Sequence, residues 1–325
     1  MSIDKRSSRK LHAGEEVELR SENEILQTLD ASGRLEGLPF MPEMRKYLGK
    51  RLRVLKRLDK IIVEGYGPRR IRNTVILART TCDGEMHGKC RRTCLFLWKE
   101  AWLRRTSVCP EKIQIEEETG FERKSALAEG VSSCQSASLL SATTILSKWD
   151  LRQYLWDIES GAYGPLERLH SILMSLSLTI QKLVLGKTLI SHGKLRRTPE
   201  ASLGVLPGER VEVKREREIL ATLDAKGRNR GLEFTQEMRK YCGKRFQVLK
   251  RIDKMIDEKT GKMRQIANTV LLEDVTCDGK GHGGCPRTCY CLWREIWLRR
   301  VDESSKTYSA RAIRFLGAPF LVGRK

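Results

Sequence analysis

The sequence predicts an α+β chain in which two copies of one small β-barrel are joined by an α-helical segment. Three observations carry this. A stretch of about 90 residues, long enough to fold alone once its core is reinforced, occurs twice. Inside each copy, short alternating runs are separated by glycine and proline, as in small barrels and sandwiches. Between the copies, apolar residues recur at spacings of three and four, the period of a helix.

The duplication is read from matched runs. Glu24-Ile25-Leu26 and Thr28-Leu29-Asp30 return as Glu218-Ile219-Leu220 and Thr222-Leu223-Asp224. Glu43-Met44-Arg45-Lys46-Tyr47 returns unchanged as Glu237-Met238-Arg239-Lys240-Tyr241. The offset is 194 up to Lys60/Lys254 and 195 from Asn73/Asn268, so one loop differs by a residue. In the first copy, 17–20 alternates as a strand, and Ser21 with Glu24 makes a capping box for a short helix. Gly33, Gly37 and Pro39 then break the chain, and 42–47 reads as one helical turn. Residues 51–57, 74–77 and 98–105 read as further strands. Gly49-Lys50-Arg51-Leu52-Arg53-Val54 resembles the turn-and-strand entry of SH3-like barrels.

The domain map follows from these signals. A basic disordered tail (1–14) precedes the first SH3-like repeat (15–107). A linker (108–138), a helical segment (139–190) and a second linker (191–209) lead to the second repeat (210–302) and a basic tail (303–325). The stripe over 166–185 has 11 apolar residues in 20 and predicts a helix that packs on the barrels or on a second copy of the chain, as a homo-oligomer contact. The alternative is a helix lying on a membrane surface, a peripheral contact helped by the basic tails.

Charge narrows the partners. The chain carries a net +21, of which the two repeats contribute +7 and +8 while 108–209 is close to neutral at −1. Such a field attracts polyanions, whether nucleic acid or an acidic protein. No apolar run approaches the roughly 18–20 residues of a membrane span. The basic, polar N-terminus has no signal-peptide core. Ten cysteines in 325 residues are too few for a disulfide scaffold. The expectation is a cytoplasmic protein with reduced thiols, with membrane association as the alternative.

Six of the ten cysteines fall in two matching loops of form C-D-G-x2-H-x2-C-x3-C. The first holds Cys82, His87, Cys90 and Cys94, and the second Cys277, His282, Cys285 and Cys289. Three thiolates and an imidazole complete a tetrahedral zinc site with no open position, so each loop reads as a structural metal site. Arg91, Arg92 and Arg287 would offset the charge of the thiolates. The alternative cofactor is an iron–sulfur cluster. Cys109, Cys134, Cys242 and Cys291 have no partner in the other copy and are read as unliganded, as His170 and His192 are read as ordinary polar histidines.

Each loop runs into Trp98-Lys99-Glu100-Ala101-Trp102-Leu103-Arg104-Arg105 or Trp293-Arg294-Glu295-Ile296-Trp297-Leu298-Arg299-Arg300. Trp98, Trp102, Trp293 and Trp297 are core side chains or, alternatively, a stacking platform for bases or sugars flanked by Arg104, Arg105, Arg299 and Arg300. The run Cys82-Asp83-Gly84 with its histidine is similar to the motif of CDGSH-type iron–sulfur domains, although their other cysteines lie upstream. The matched runs, together with Gly37-Leu38-Pro39-Phe40-Met41-Pro42-Glu43-Met44 and 148–155, resemble an uncharacterised bacterial family with one or two small SH3-like domains. That resemblance implies the fold and the metal, and no activity.

There is no phosphate-binding glycine loop and no catalytic triad in convincing context. The chain therefore reads as a non-enzymatic, zinc-stabilised binding or adaptor protein for an anionic macromolecule or protein complex. Its alternatives are an iron–sulfur electron-transfer or redox-sensing protein and a peripheral membrane adaptor of a biosynthetic complex.

Overall fold

The computed structural model describes residues 10–106, 134–147, 150, 152, 153, 156, 193–279 and 284–301. In the first repeat, β1 (Glu16–Leu19) buries Val17 and Leu19 on one face, as its alternation requires. Helix α1 (Glu22–Leu26) starts with the expected capping box: Ser21 Oγ accepts from Glu24 N–H, and Glu24 Oε2 accepts from Ser21 N–H at 3.0 Å. A small hairpin, β2 (Arg34–Leu35) and β3 (Leu38–Pro39), leads to a 3-10 turn at Pro42–Tyr47. Strands β4 (Arg51–Val63), β5 (Gly67–Thr81) and β6 (Leu95–Lys99) follow. A second 3-10 turn, Glu100–Trp102, separates β6 from β7 (Leu103–Arg105).

The sheet runs β6-β5-β4-β1-β7, all antiparallel. The second repeat repeats it. Strands β9 (Arg210–Val213), β12 (Arg245–Ile256), β13 (Met263–Leu272), β14 (Trp293–Arg294) and β15 (Leu298–Arg300) lie in the order β14-β13-β12-β9-β15. Helix α2 (Glu216–Leu220), a hairpin of β10 (Arg228–Asn229) and β11 (Leu232–Glu233), and 3-10 turns at Gln236–Tyr241 and Glu295–Trp297 match the first repeat. Even the bulges coincide, between Val54/Lys56 and Leu58/Lys60 in β4 and between Val248/Lys250 and Ile252/Lys254 in β12. They bend the long strands over the cores.

Two expectations of the α+β reading are corrected. The described residues are mostly β, and neither sheet closes into an SH3-like barrel. The edge strands β6 and β7 run in the same direction and are joined by three residues. Side-by-side pairing of two such strands needs a crossover of about a dozen residues or more, so they lie end to end and the sheet stays open. The stretch 98–105 is accordingly strand, turn and strand, not one strand. Nor does a helical segment join the repeats among the described residues. From 135 to 147 the chain forms turns and a two-residue strand, β8 (Thr144–Ile145), paired to Arg69 and Arg70 of β5. The predicted helix at 166–185 lies outside the described residues. Among those described, no helix is long and apolar enough to cross a membrane.

Residues 134–147 form a strap across the first repeat. The Gln135 amide takes the place of a neighbouring strand at the β6 edge, accepting from Leu97 N–H at 2.9 Å and donating to Leu97 C=O at 2.9 Å. Arg69 donates to Thr143 and Leu140, and Leu139 and Ala142 join the apolar core. Leu11 joins the same core.

Both cores are built on tryptophans. Trp98, Trp102, Trp293 and Trp297 are 0 % exposed, and edge-to-face contacts link them to Phe40, Phe96 and Phe234. Trp98 Nε1–H donates to Thr80 Oγ1 at 3.0 Å, whereas Trp293 Nε1–H has no partner. The residue at the Thr80 position of the second repeat is Val275. A buried unpaired donor costs about 1–3 kcal/mol. Val275→Thr is therefore expected to stabilise the protein by about 1 kcal/mol, read from denaturant midpoints. A destabilised variant would show that the Val275 methyl matters more than the bond.

Candidate metal centre

Each cysteine loop is a sheet connection, between β5 and β6 in the first repeat and between β13 and β14 in the second. Its two ends are pinned together: Cys82 N–H donates to Cys94 C=O and Cys277 N–H to Cys289 C=O, both at 2.8 Å. Gly84 and Gly279 turn the loop inward at φ +82° and +74°. A Cβ there would stand 1.8 Å from Cys90 O and 1.9 Å from Cys285 O. The glycine is thus required twice over, by handedness and by contact with backbone. The aspartate before it ties the loop to the 3-10 turn, Asp83 to Lys46 at 2.7 Å and Asp278 to Lys240 at 2.8 Å. Gly84→Ala is expected to displace the loop and cost roughly 1–3 kcal/mol or more, and to lower metal content if the loop holds an ion. Unchanged metal content in that variant would show that the loop tolerates a different path.

In the first repeat, Glu43, Cys82 and His87 bring donor atoms within 4.8 Å of one another. The His87 side chain is 2 % exposed, and neither ring nitrogen makes a hydrogen bond. Its Nε2 lies 3.2 Å from Glu43 Oε1, but not in hydrogen-bonding geometry, and Glu43 Oε2 is likewise unpartnered. A buried imidazole with two idle nitrogens beside a carboxylate and a thiol is a donor set of the kind that could hold a cation. Cys90 and Cys94 line the same small cavity as Cys82 and His87, outside the close group. Burial holds the Cys82 thiol well above its ordinary range, and the nearby Cys94 and Glu43 add to the shift. A bound divalent ion reverses that balance, because a coordinated thiol gives up its proton.

Glu43 was not among the predicted ligands. The signal for it was present, since it opens the five-residue run shared without change by both repeats. Its counterpart Glu237 accepts from Asp278 N–H at 3.1 Å and raises the Cys277 thiol further above the value set by burial. In the second loop, Cys285 is buried and the Cys289 thiol is pushed up to about 11 by burial, against the pull of Arg287 and Arg92. Cys291, set aside in the sequence, is buried in the second core and faces Glu237 and Cys289 electrostatically. His282 lies outside the described residues.

The two loops meet. Ile256 N–H of the second repeat donates to Cys90 Sγ, and Ile62 N–H of the first donates to Cys285 Sγ, each at 3.4 Å. Glu258 accepts ion pairs from Arg287 at 2.6 Å and from Arg92 at 2.9 Å. A second small cavity, lined by Arg92, Cys94, Arg287 and Cys289, joins the loops. Of the three arginines expected beside the thiols, Arg92 and Arg287 pair with Glu258 between the loops, while Arg91 pairs with Asp253.

The other predicted contacts are surface or core groups. The four tryptophans have no open face for a base or sugar. Arg104 pairs with Glu24, Arg105 with Glu15, Arg299 with Glu218 and Arg300 with Glu209. No family model, no curated protein and no solved structure matches this chain.

Proposed function

We propose that the chain is a non-enzymatic binding protein stabilised by two zinc ions, one at each cysteine loop, with an anionic macromolecule as its partner. The observation that carries the metal is His87, buried with both nitrogens unpartnered beside Glu43 and Cys82. Thiolate, imidazole and carboxylate together suit zinc, and a site filled by protein ligands is structural. The anionic partner rests on the net charge of +21. Metal analysis with an absorption spectrum, on protein purified without oxygen, tests the first part. Two zinc per chain and no visible bands are expected. Iron with sulfide and visible bands would overturn zinc, and metal-free protein would overturn the centre. For the second part, affinity for duplex DNA or heparin should fall steeply with salt, and a flat response would refute it.

A further inference from the structure

We propose that Cys134, which the chain delivers from outside both repeats, is a ligand of the metal centre of the first repeat. The bound ion would then hold the strap against the sheet. This rests on the metal reading above and adds a donor that the loop motif does not contain.

Cys134 is 7 % exposed and lines the same cavity as Cys82, His87, Cys90 and Cys94. It packs on Cys90. The backbone N–H groups of Ala137 and Ser136 turn toward its sulfur, an arrangement that favours a thiolate. The residues that follow complete that wall. Gln135 caps the β6 edge, and Ser136 Oγ lies 3.3 Å from Cys94 Sγ while accepting from Arg287 at 2.9 Å. The independent sign that this cavity takes a ligand is His87, whose buried ring faces it with two unpartnered nitrogens. Five donors therefore surround one space. Cys134, like Cys90 and Cys94, stands outside the close group of Glu43, Cys82 and His87, and His87 with Cys134 and two further thiols of this wall makes a full tetrahedral set.

Cobalt substitution tests this in the full chain, because cobalt–thiolate charge-transfer absorption scales with the number of thiolates bound. Cys134→Ser should lower that absorption by about one sixth, one thiolate of six over two centres, or by about half if the first centre empties. Full intensity in Cys134→Ser would overturn the proposal. So would an equal fall in Cys242→Ser, a cysteine that follows the 3-10 turn Gln236–Tyr241 and lines neither cavity. Wild-type protein that shows no cobalt–thiolate band would instead overturn the metal reading itself. A measurement free of folding defects uses wild-type chain: alkylation of Cys134, mapped by mass spectrometry, should rise on chelation together with that of Cys82. Cys134 reactivity that ignores chelation while that of Cys82 responds would refute the assignment.

Discussion

If the proposed zinc is bound, a strong chelator at neutral pH should lower the melting temperature by roughly 10–20 °C or more, the shift expected when a unit of about 90 residues loses about 3 kcal/mol. The reason is the size of the coupled energy. Structural zinc contributes on the order of 10–16 kcal/mol of apparent binding energy in small peptides, whereas a whole domain is stable by only about 5–15 kcal/mol. The first loss should be local. His87, Glu43 and the thiols would revert to buried polar groups without a partner, and the loops would open to hydrate them. Because the loops continue directly into β6 and β14, the near-ultraviolet signal of the buried tryptophans should weaken and return when zinc is restored. A melting curve unmoved by chelation would show that the cavity is held by protein contacts alone.

Glu258→Gln should cost about 3–5 kcal/mol, the range for breaking a buried ion network by removing one partner. Glu258 is 5 % exposed and is the shared acceptor of two guanidiniums. Without its charge, Arg92 and Arg287 lose the carboxylate they share and keep only neutral partners. Arg287→Leu should cost less, since Glu258 keeps Arg92. Equal costs, measured by urea unfolding, would show that the two guanidiniums do not repel. Burial alone would raise the Glu258 carboxyl, but Arg287 and Arg92 outweigh it and hold it below its ordinary 4.5. Its stabilisation is thus complete above pH 4.5 and is lost as the pH falls through the lower folded value. The difference between wild type and Glu258→Gln should shrink in the same window.

Local chemistry was legible in the sequence, and contact between distant segments was not. The capping box at Ser21 and the turn at Pro42–Tyr47 depend on residues three or four apart, and both formed as expected. The cysteine loop was legible as a unit because its cysteines and histidine fall within thirteen residues. Glu43 reaches Cys82 and His87 from a turn, and Cys134 reaches the loop's cavity from the strap, which no spacing rule connects to the loop. Barrel closure failed for a related reason. Pattern identifies strands, but whether β6 and β7 pair depends on their running direction, which follows from the entire strand order. Trp98 and Trp102 fit either a helix face or a strand face, and the chain chose a turn between them.

The exchange between Cys90 with Ile256 and Cys285 with Ile62 has a bearing on why the unit occurs twice. Each copy offers the other the same pair of groups, a sulfur acceptor and an edge N–H, which is the hallmark of an isologous contact. Such a surface is complementary to itself, so the covalent connection between the copies adds proximity and not recognition. Glu258 serves both arginines from one side although Glu64 stands at the matching position of the first copy, so the asymmetry lies in placement: one of two equivalent carboxylates is buried between the loops and the other is exposed.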